Sequence, residues 1–137
     1  MEDLIIADTD VIIDFFADIP PFANIISELI KKNVLAITSI SVYELYAGVS
    51  GKKRLKQAET FIENTFVFPL DSVEAAIAAK TYTYLKGKGK LIGNEDILIA
   101  GICIANSLPL LTRNVAHFKN IQELELASTE DLKLGGK

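Results

Sequence analysis

The run Leu4-Ile5-Ile6-Ala7, closed by Asp8, sets the strongest limit on what this chain can fold into. Four apolar residues are too few for a helix, and short Ile-rich runs are typical of strands buried on both faces of a parallel sheet. Runs of the same kind follow at residues 34–38, 66–68 and 108–112, and Leu124-Glu125-Leu126 offers a fifth, edge strand. Helical patterns lie between them. Asp10 is placed to cap a short helix through Phe16, which Pro20 and Pro21 end. Phe22, Ile25, Ile26, Leu29 and Ile30 then repeat at the spacing of an amphipathic helix.

Ser39 or Ser41 caps the helix after the second strand. With Ser41 as cap, Glu44 completes a Ser-x-x-Glu capping box. A basic segment from Lys52 to Lys56 opens a helix to about Asn64. Ser72 caps another to about Lys86, with Val73, Ala76, Ile77, Tyr84 and Leu85 facing inward. A helix from about Glu95 to Ala105 is apolar nearly all round and is expected to be central and buried. Residues 114–118 form a turn or a short helix, and the polar tail from Ser128 is expected to fray. Strands alternating with helices place the chain in the α/β class. The expected architecture is three-layer α/β/α, with a largely parallel sheet of four to five strands. With 137 residues, no repeat and no linker-like stretch, one domain is expected over residues 1–137.

Composition narrows the chemistry. The single cysteine, Cys103, excludes a disulfide framework, and the single histidine, His117, excludes a two-histidine metal site within one chain. No apolar run reaches the roughly 18 residues of a membrane span. The acidic start, Glu2-Asp3, lacks the basic region of a signal peptide, so a cytoplasmic protein is expected. The net charge of −4 argues against coating nucleic acid by bulk charge. It leaves room for contact with RNA through local patches such as Lys52-Lys53-Arg54-Lys56 and Lys86, Lys88 and Lys90. Mean hydropathy is high at +0.30, which suits a sheet covered on both faces and a self-association surface.

Three carboxylates fall where chain direction gathers them at one sheet edge. Asp8 ends the first strand, Glu44 opens the helix after the second, and Asp96 opens the buried helix before the fourth. Asp10 lies two residues from Asp8, and Asn114 follows the fourth strand. In open α/β sheets, ligands bind at the C-terminal strand ends. A carboxylate preceding an apolar run costs several kcal/mol to bury alone. A divalent cation removes that cost, and oxygen ligands without His or Cys select Mg²⁺ or Mn²⁺ over zinc. Each acid also has a structural explanation: a turn cap for Asp8, a capping box for Glu44, and a charge at the positive helix end for Asp96. Asp10 and Asp14 fit caps or solvated groups better than ligands.

Four stretches together resemble the PIN-domain family, and within it the VapC-type toxins. They are Asp8-Thr9-Asp10-Val11-Ile12-Ile13-Asp14, Ser39-Ile40-Ser41-Val42-Tyr43-Glu44-Leu45, Asn94-Glu95-Asp96-Ile97-Leu98-Ile99-Ala100-Gly101 and Leu110-Leu111-Thr112-Arg113-Asn114-Val115-Ala116-His117-Phe118. The resemblance implies a Mg²⁺- or Mn²⁺-dependent endoribonuclease, the toxin of a type II toxin–antitoxin pair. Asp8, Glu44 and Asp96 would be its metal ligands and Asn114 would stand at its fourth acidic position. Position 10 is usually Asn in that family. Thr9, Asp10 and Thr112 are expected to support the ligands, Thr9 and Thr112 by hydrogen bonds, and Arg113 to meet phosphate. A homodimer is implied, as is an antitoxin whose C-terminal segment covers the active-site groove. His117 is expected to pack or cap.

Two other readings use the same opening. A haloacid-dehalogenase-like phosphatase would take Asp8 as nucleophile and Asp10 as acid, but it lacks a late Asp pair here. A catalytically idle binding module would keep the crevice for a partner.

Overall fold

The computed structural model describes residues 3–130 and 132. In chain order the elements are β1 (Ile5–Ala7), α1 (Thr9–Phe16), α2 (Phe22–Lys31), β2 (Leu35–Thr38), α3 (Ser39–Gly48) and α4 (Lys52–Glu63). They continue with β3 (Phe66–Phe68), α5 (Ser72–Gly87), α6 (Asn94–Asn106), β4 (Leu110–Leu111) and α7 (Val115–Phe118). The strands form one parallel sheet in the order β3-β2-β1-β4.

Strand alternation explains the layers. Side chains of successive strand residues point to opposite faces. Ile6, Ala36 and Leu110 share one face and pack against α5, α6, Phe118 and residues 121–124. Ala7, Leu35, Ile37 and Leu111 share the other and pack against α1, α2, Leu45 of α3 and Phe61 of α4. The expected α/β/α sandwich follows, with helices covering both faces. Cys103 is buried in the first of these clusters.

Several local expectations are corrected. The cap of α1 is Asp8, not Asp10: its Oδ1 accepts from the Thr9 amide at 2.9 Å. The cap of α3 is Thr38, whose Oγ1 accepts from the Ser41 amide at 3.2 Å, so the Ser41–Glu44 capping box does not form. Both helices start at the residue after or next to the strand end, so the first polar side chain available takes the cap. The cap of α5 is Asp71, in a capping box with Glu74. That helix buries Ala78, Thr81 and Leu85, whereas Val73 and Tyr84 are exposed. The fifth strand reduces to a single bridge between Leu110 and Leu126. In the tail, Leu132 packs against the α1/α2 face, and the Gly-Gly-Lys end lies outside the described residues.

Candidate active site

Because the strands are parallel, their C-terminal ends open on one edge. Asp8 leaves β1 there, Thr38 leaves β2, and Thr112 leaves β4. Asp8 is buried, and both of its oxygens are held: Oδ1 by the Thr9 amide and Oδ2 by the Thr112 hydroxyl at 2.8 Å. The Thr112 oxygen in turn accepts the Asn114 amide at 3.1 Å. Asp10 sits beside Asp8 and faces the Arg113 amide at 3.3 Å.

Glu44 reaches the same edge from the second turn of α3. Thr9 Oγ1 donates to Glu44 Oε1 at 2.5 Å and lies 2.8 Å from Ser41 Oγ. Thr9 has one hydroxyl proton, and it is spent on Glu44. Ser41, fully buried, is therefore the donor to Thr9. With no capping box to occupy it, Glu44 is fixed by α1 instead of by its own helix.

Asp96 stands in the first turn of α6. Its Oδ2 lies 3.0 Å from His117 Nδ1, and that nitrogen is 2.9 Å from the Asn114 amide group. Thus α7 brings His117 to Asp96, and its cap residue Asn114 to the same His117 nitrogen. The His117 pairing was not read from the sequence. Its only signal is the i, i+3 spacing from Asn114 on a one-turn helix. Arg113 is committed differently from expectation: Nη1 pairs with Asp14 Oδ1 at 2.7 Å, and Asp14 is buried rather than capping or solvated.

The acids share one electrostatic neighbourhood. Burial, and next the charge of Asp10, push the Asp8 carboxyl up to about 7; Asp96 adds to this, while Thr112 and Thr9 oppose it. Burial also raises Asp10 against the pull of Arg113. Asp96 is raised by burial, lowered by His117, and raised again by Glu44 and Asp10. Each direction marks negative charge that the protein alone leaves under-compensated.

Among the described residues no three His, Cys, Asp or Glu side chains close around one point as a ready-made cage. The donor set nonetheless fits a small hard cation. It offers carboxylate oxygens, and such a cation keeps several waters and binds through one or two carboxylates at a time. A cleft of 340 Å³ starts at Glu44 and is lined by Ile13, Phe16, Leu45, Arg54 and Gln57. Phe16 and Gln57 also border a second groove, floored by Phe15 and Phe61 and rimmed by Lys53 and Lys56.

Residues 5–124 match the family model described as PIN domain. The chain belongs to the PIN-domain family. It is 36% identical over 110 residues to Ribonuclease VapC2 of Rickettsia felis, covering 77% of this chain and 81% of that protein. It is 30% identical over 125 residues to Ribonuclease VapC1 of Methanocaldococcus jannaschii, covering 91% and 86%. Among solved structures it resembles VapBC2 from Rickettsia felis bound to a DNA fragment from their promoter. That match has 29% identity and a TM-score of 0.76, with 90% of this chain and 97% of that one covered. PIN-domain ribonucleases are generally dependent on a divalent metal. Among the described residues of this PIN domain, no helix is long and apolar enough to cross a membrane.

The Asp14–Arg113 pair ties α1 to the segment after β4. Arg113→Leu is expected to cost about 2 kcal/mol, below the usual range for a buried pair because the arginine is 55% exposed. Arg113→Leu with Asp14→Leu is expected to recover most of it, since replacing both partners leaves no buried charge alone. Urea denaturation midpoints measure both; equal losses in the single and double variants would contradict the pairing.

Proposed function

We propose that this PIN domain, spanning residues 1–137, is a cytoplasmic endoribonuclease that hydrolyses RNA phosphodiesters with Mg²⁺ or Mn²⁺. It acts as the toxin of a VapBC-type pair. The observation that carries the site assignment is the gathering of Asp8, Asp10, Glu44 and Asp96 at one sheet edge, where Asp10 and Asp96 help push Asp8 up to about 7 and Glu44 and Asp10 help raise Asp96. Asp8, Glu44 and Asp96 would hold the cation. When bound, it supplies a nucleophilic water at neutral pH and stabilises charge building on the phosphate oxygens.

The chain's own side chains do the rest. Thr112 and the Thr9 amide fix the Asp8 carboxylate, Ser41 and Thr9 fix Glu44, and His117 fixes Asp96. Asn114, an amide at the fourth position, competes with Asp96 for His117 Nδ1 and adds no negative charge. Asp10 supplies an extra acid beside Asp8 and faces a backbone amide, which suits support of the site better than the free acid a phosphatase would need. Arg113, engaged by Asp14, reaches phosphate only through its remaining guanidinium donors.

An antitoxin is the expected partner, and the groove running from Glu44 past Phe16 to Phe61 suits its C-terminal segment. A homodimer is the expected assembly, with exposed Tyr43 and Val73 as available apolar surface. The test is incubation of purified protein with total RNA and Mn²⁺. Cleavage is expected, with losses of at least roughly a hundredfold in Glu44→Gln and Asp96→Asn. Calorimetric Mn²⁺ titration separates the idle module: absent binding, or binding untouched by these changes, would sink the nuclease reading.

A further inference from the structure

The lysines after α5 have no part in the site described above. Lys88, Lys90 and Lys119 line one pocket of 270 Å³ with Tyr84, Asn120 and Gln122. Among the described residues, none of the three lysines forms an ion pair with a carboxylate. The neighbouring hollow, which shares Tyr84 and Gln122, has one acid in its lining, Glu123. On a chain of net charge −4, three uncompensated cations around one concavity are a local reversal of sign. One exposed tyrosine, Tyr84, borders them. Lys88 Nζ lies 5.7 Å from the Tyr84 ring centroid.

The chain path joins this pocket to the acidic edge. Lys119 lies two residues beyond His117, which contacts Asp96, so their Cα atoms are at most about 7.6 Å apart. Lys90 belongs to the segment that leads directly into α6, whose first turn carries Asp96.

We propose that this pocket binds the single-stranded RNA flanking the cleavage point. Lys88, Lys90 and Lys119 take its phosphates, Asn120 and Gln122 donate to its backbone, and the Tyr84 face stacks one base. The inference rests on the ribonuclease reading. Duplex RNA fits less well, because its bases are not free to reach Tyr84.

The probe is a fluorescein-labelled oligouridine RNA of about a dozen nucleotides, followed by anisotropy in EDTA. The triple variant Lys88→Gln, Lys90→Gln, Lys119→Gln is expected to bind roughly tenfold more weakly at moderate salt. The slope of log affinity against log salt should fall by about 2, from three phosphate contacts at about 0.7 each. Tyr84→Ala should weaken binding severalfold with the slope unchanged, and Tyr84→Phe should keep wild-type affinity. Unchanged affinity and slope in a triple variant with wild-type circular dichroism and melting would overturn the proposal. So would no binding by the wild type, or equal patch-dependent binding of a blunt RNA duplex. If the wild type binds through the patch yet leaves total RNA intact with Mn²⁺, the ribonuclease reading falls and the binding surface stands.

Discussion

Asp8→Asn is expected to abolish metal-dependent RNA cleavage, by roughly a thousandfold or more, and to raise the melting temperature of the metal-free protein at pH 8 by several degrees. The two effects have one cause. Asp8 is 6% exposed and its carboxyl is pushed up to about 7 by burial and by Asp10. At pH 8 the metal-free fold therefore holds a charge that it disfavours. Asparagine keeps the shape and removes the charge. Its oxygen still accepts the Thr9 amide, and its amide group donates to Thr112, whose hydroxyl turns toward Asp10 Oδ2 at 3.4 Å. Loss of activity together with a lower melting point would show that Asp8 is held for stability and that this account of the site is wrong.

The same carboxyl sets the pH dependence of the metal-free protein. Its ordinary value is 3.8 and its folded value about 7, so the folded state holds a proton that the unfolded state has lost. Stability from this group is full below pH 4 and is lost as pH rises to 7, by up to about 4 kcal/mol. Asp10 and Asp96 are shifted in the same direction. Thermal melts from pH 4 to 8 should fall in the wild type and flatten in Asp8→Asn. Mn²⁺ should restore the wild type at pH 8 and release protons on binding.

The carboxylates at the sheet edge were legible because each is tied to chain order: Asp8 to a strand end, Asp96 to the start of an apolar helix. What held them in place was not. The sequence offers Ser39 or Ser41 as the cap. The helix begins directly at the strand end, so Thr38 takes the cap and Ser41 is left to serve Thr9 across the site. Asp14 looked solvated because its partner, Arg113, is 99 residues away, and such a pairing leaves no periodic trace. The inward face of α5 agrees with the sequence pattern only in part. Leu85 does face inward, but α6 lies so close at Ala78 that only a small side chain fits there, and Val73 and Tyr84 turn outward.

That close contact carries the last prediction. Gly101 of α6 faces α5, and a Cβ added there would lie 2.8 Å from both Ala78 Cβ and the Glu74 carbonyl oxygen. Neither obstacle has a rotamer to swing away, so the helices must separate. Overpacking against two fixed groups falls in the upper part of its range, about 2–3 kcal/mol, partly offset by about 1 kcal/mol from the better helix propensity of alanine. Gly101→Ala is thus expected to lower the melting temperature by roughly 3–10 °C. Adding Ala78→Gly removes the Cβ obstacle but leaves the Glu74 carbonyl and, at 3.0 Å, the backbone nitrogen of residue 78, so only part of the loss should return. The consequence reaches the active site because α6 carries Asp96 one turn and a half before Gly101. A shift of α6 moves Asp96 away from His117 and from the Asp8 side of the cleft. Mn²⁺ affinity should therefore fall severalfold in the folded variant, and Ala78→Gly should recover it in step with the melting temperature. A Gly101→Ala protein that melts at or above the wild type would show that the two helices have slack at this contact, and that Asp96 is not placed by their packing.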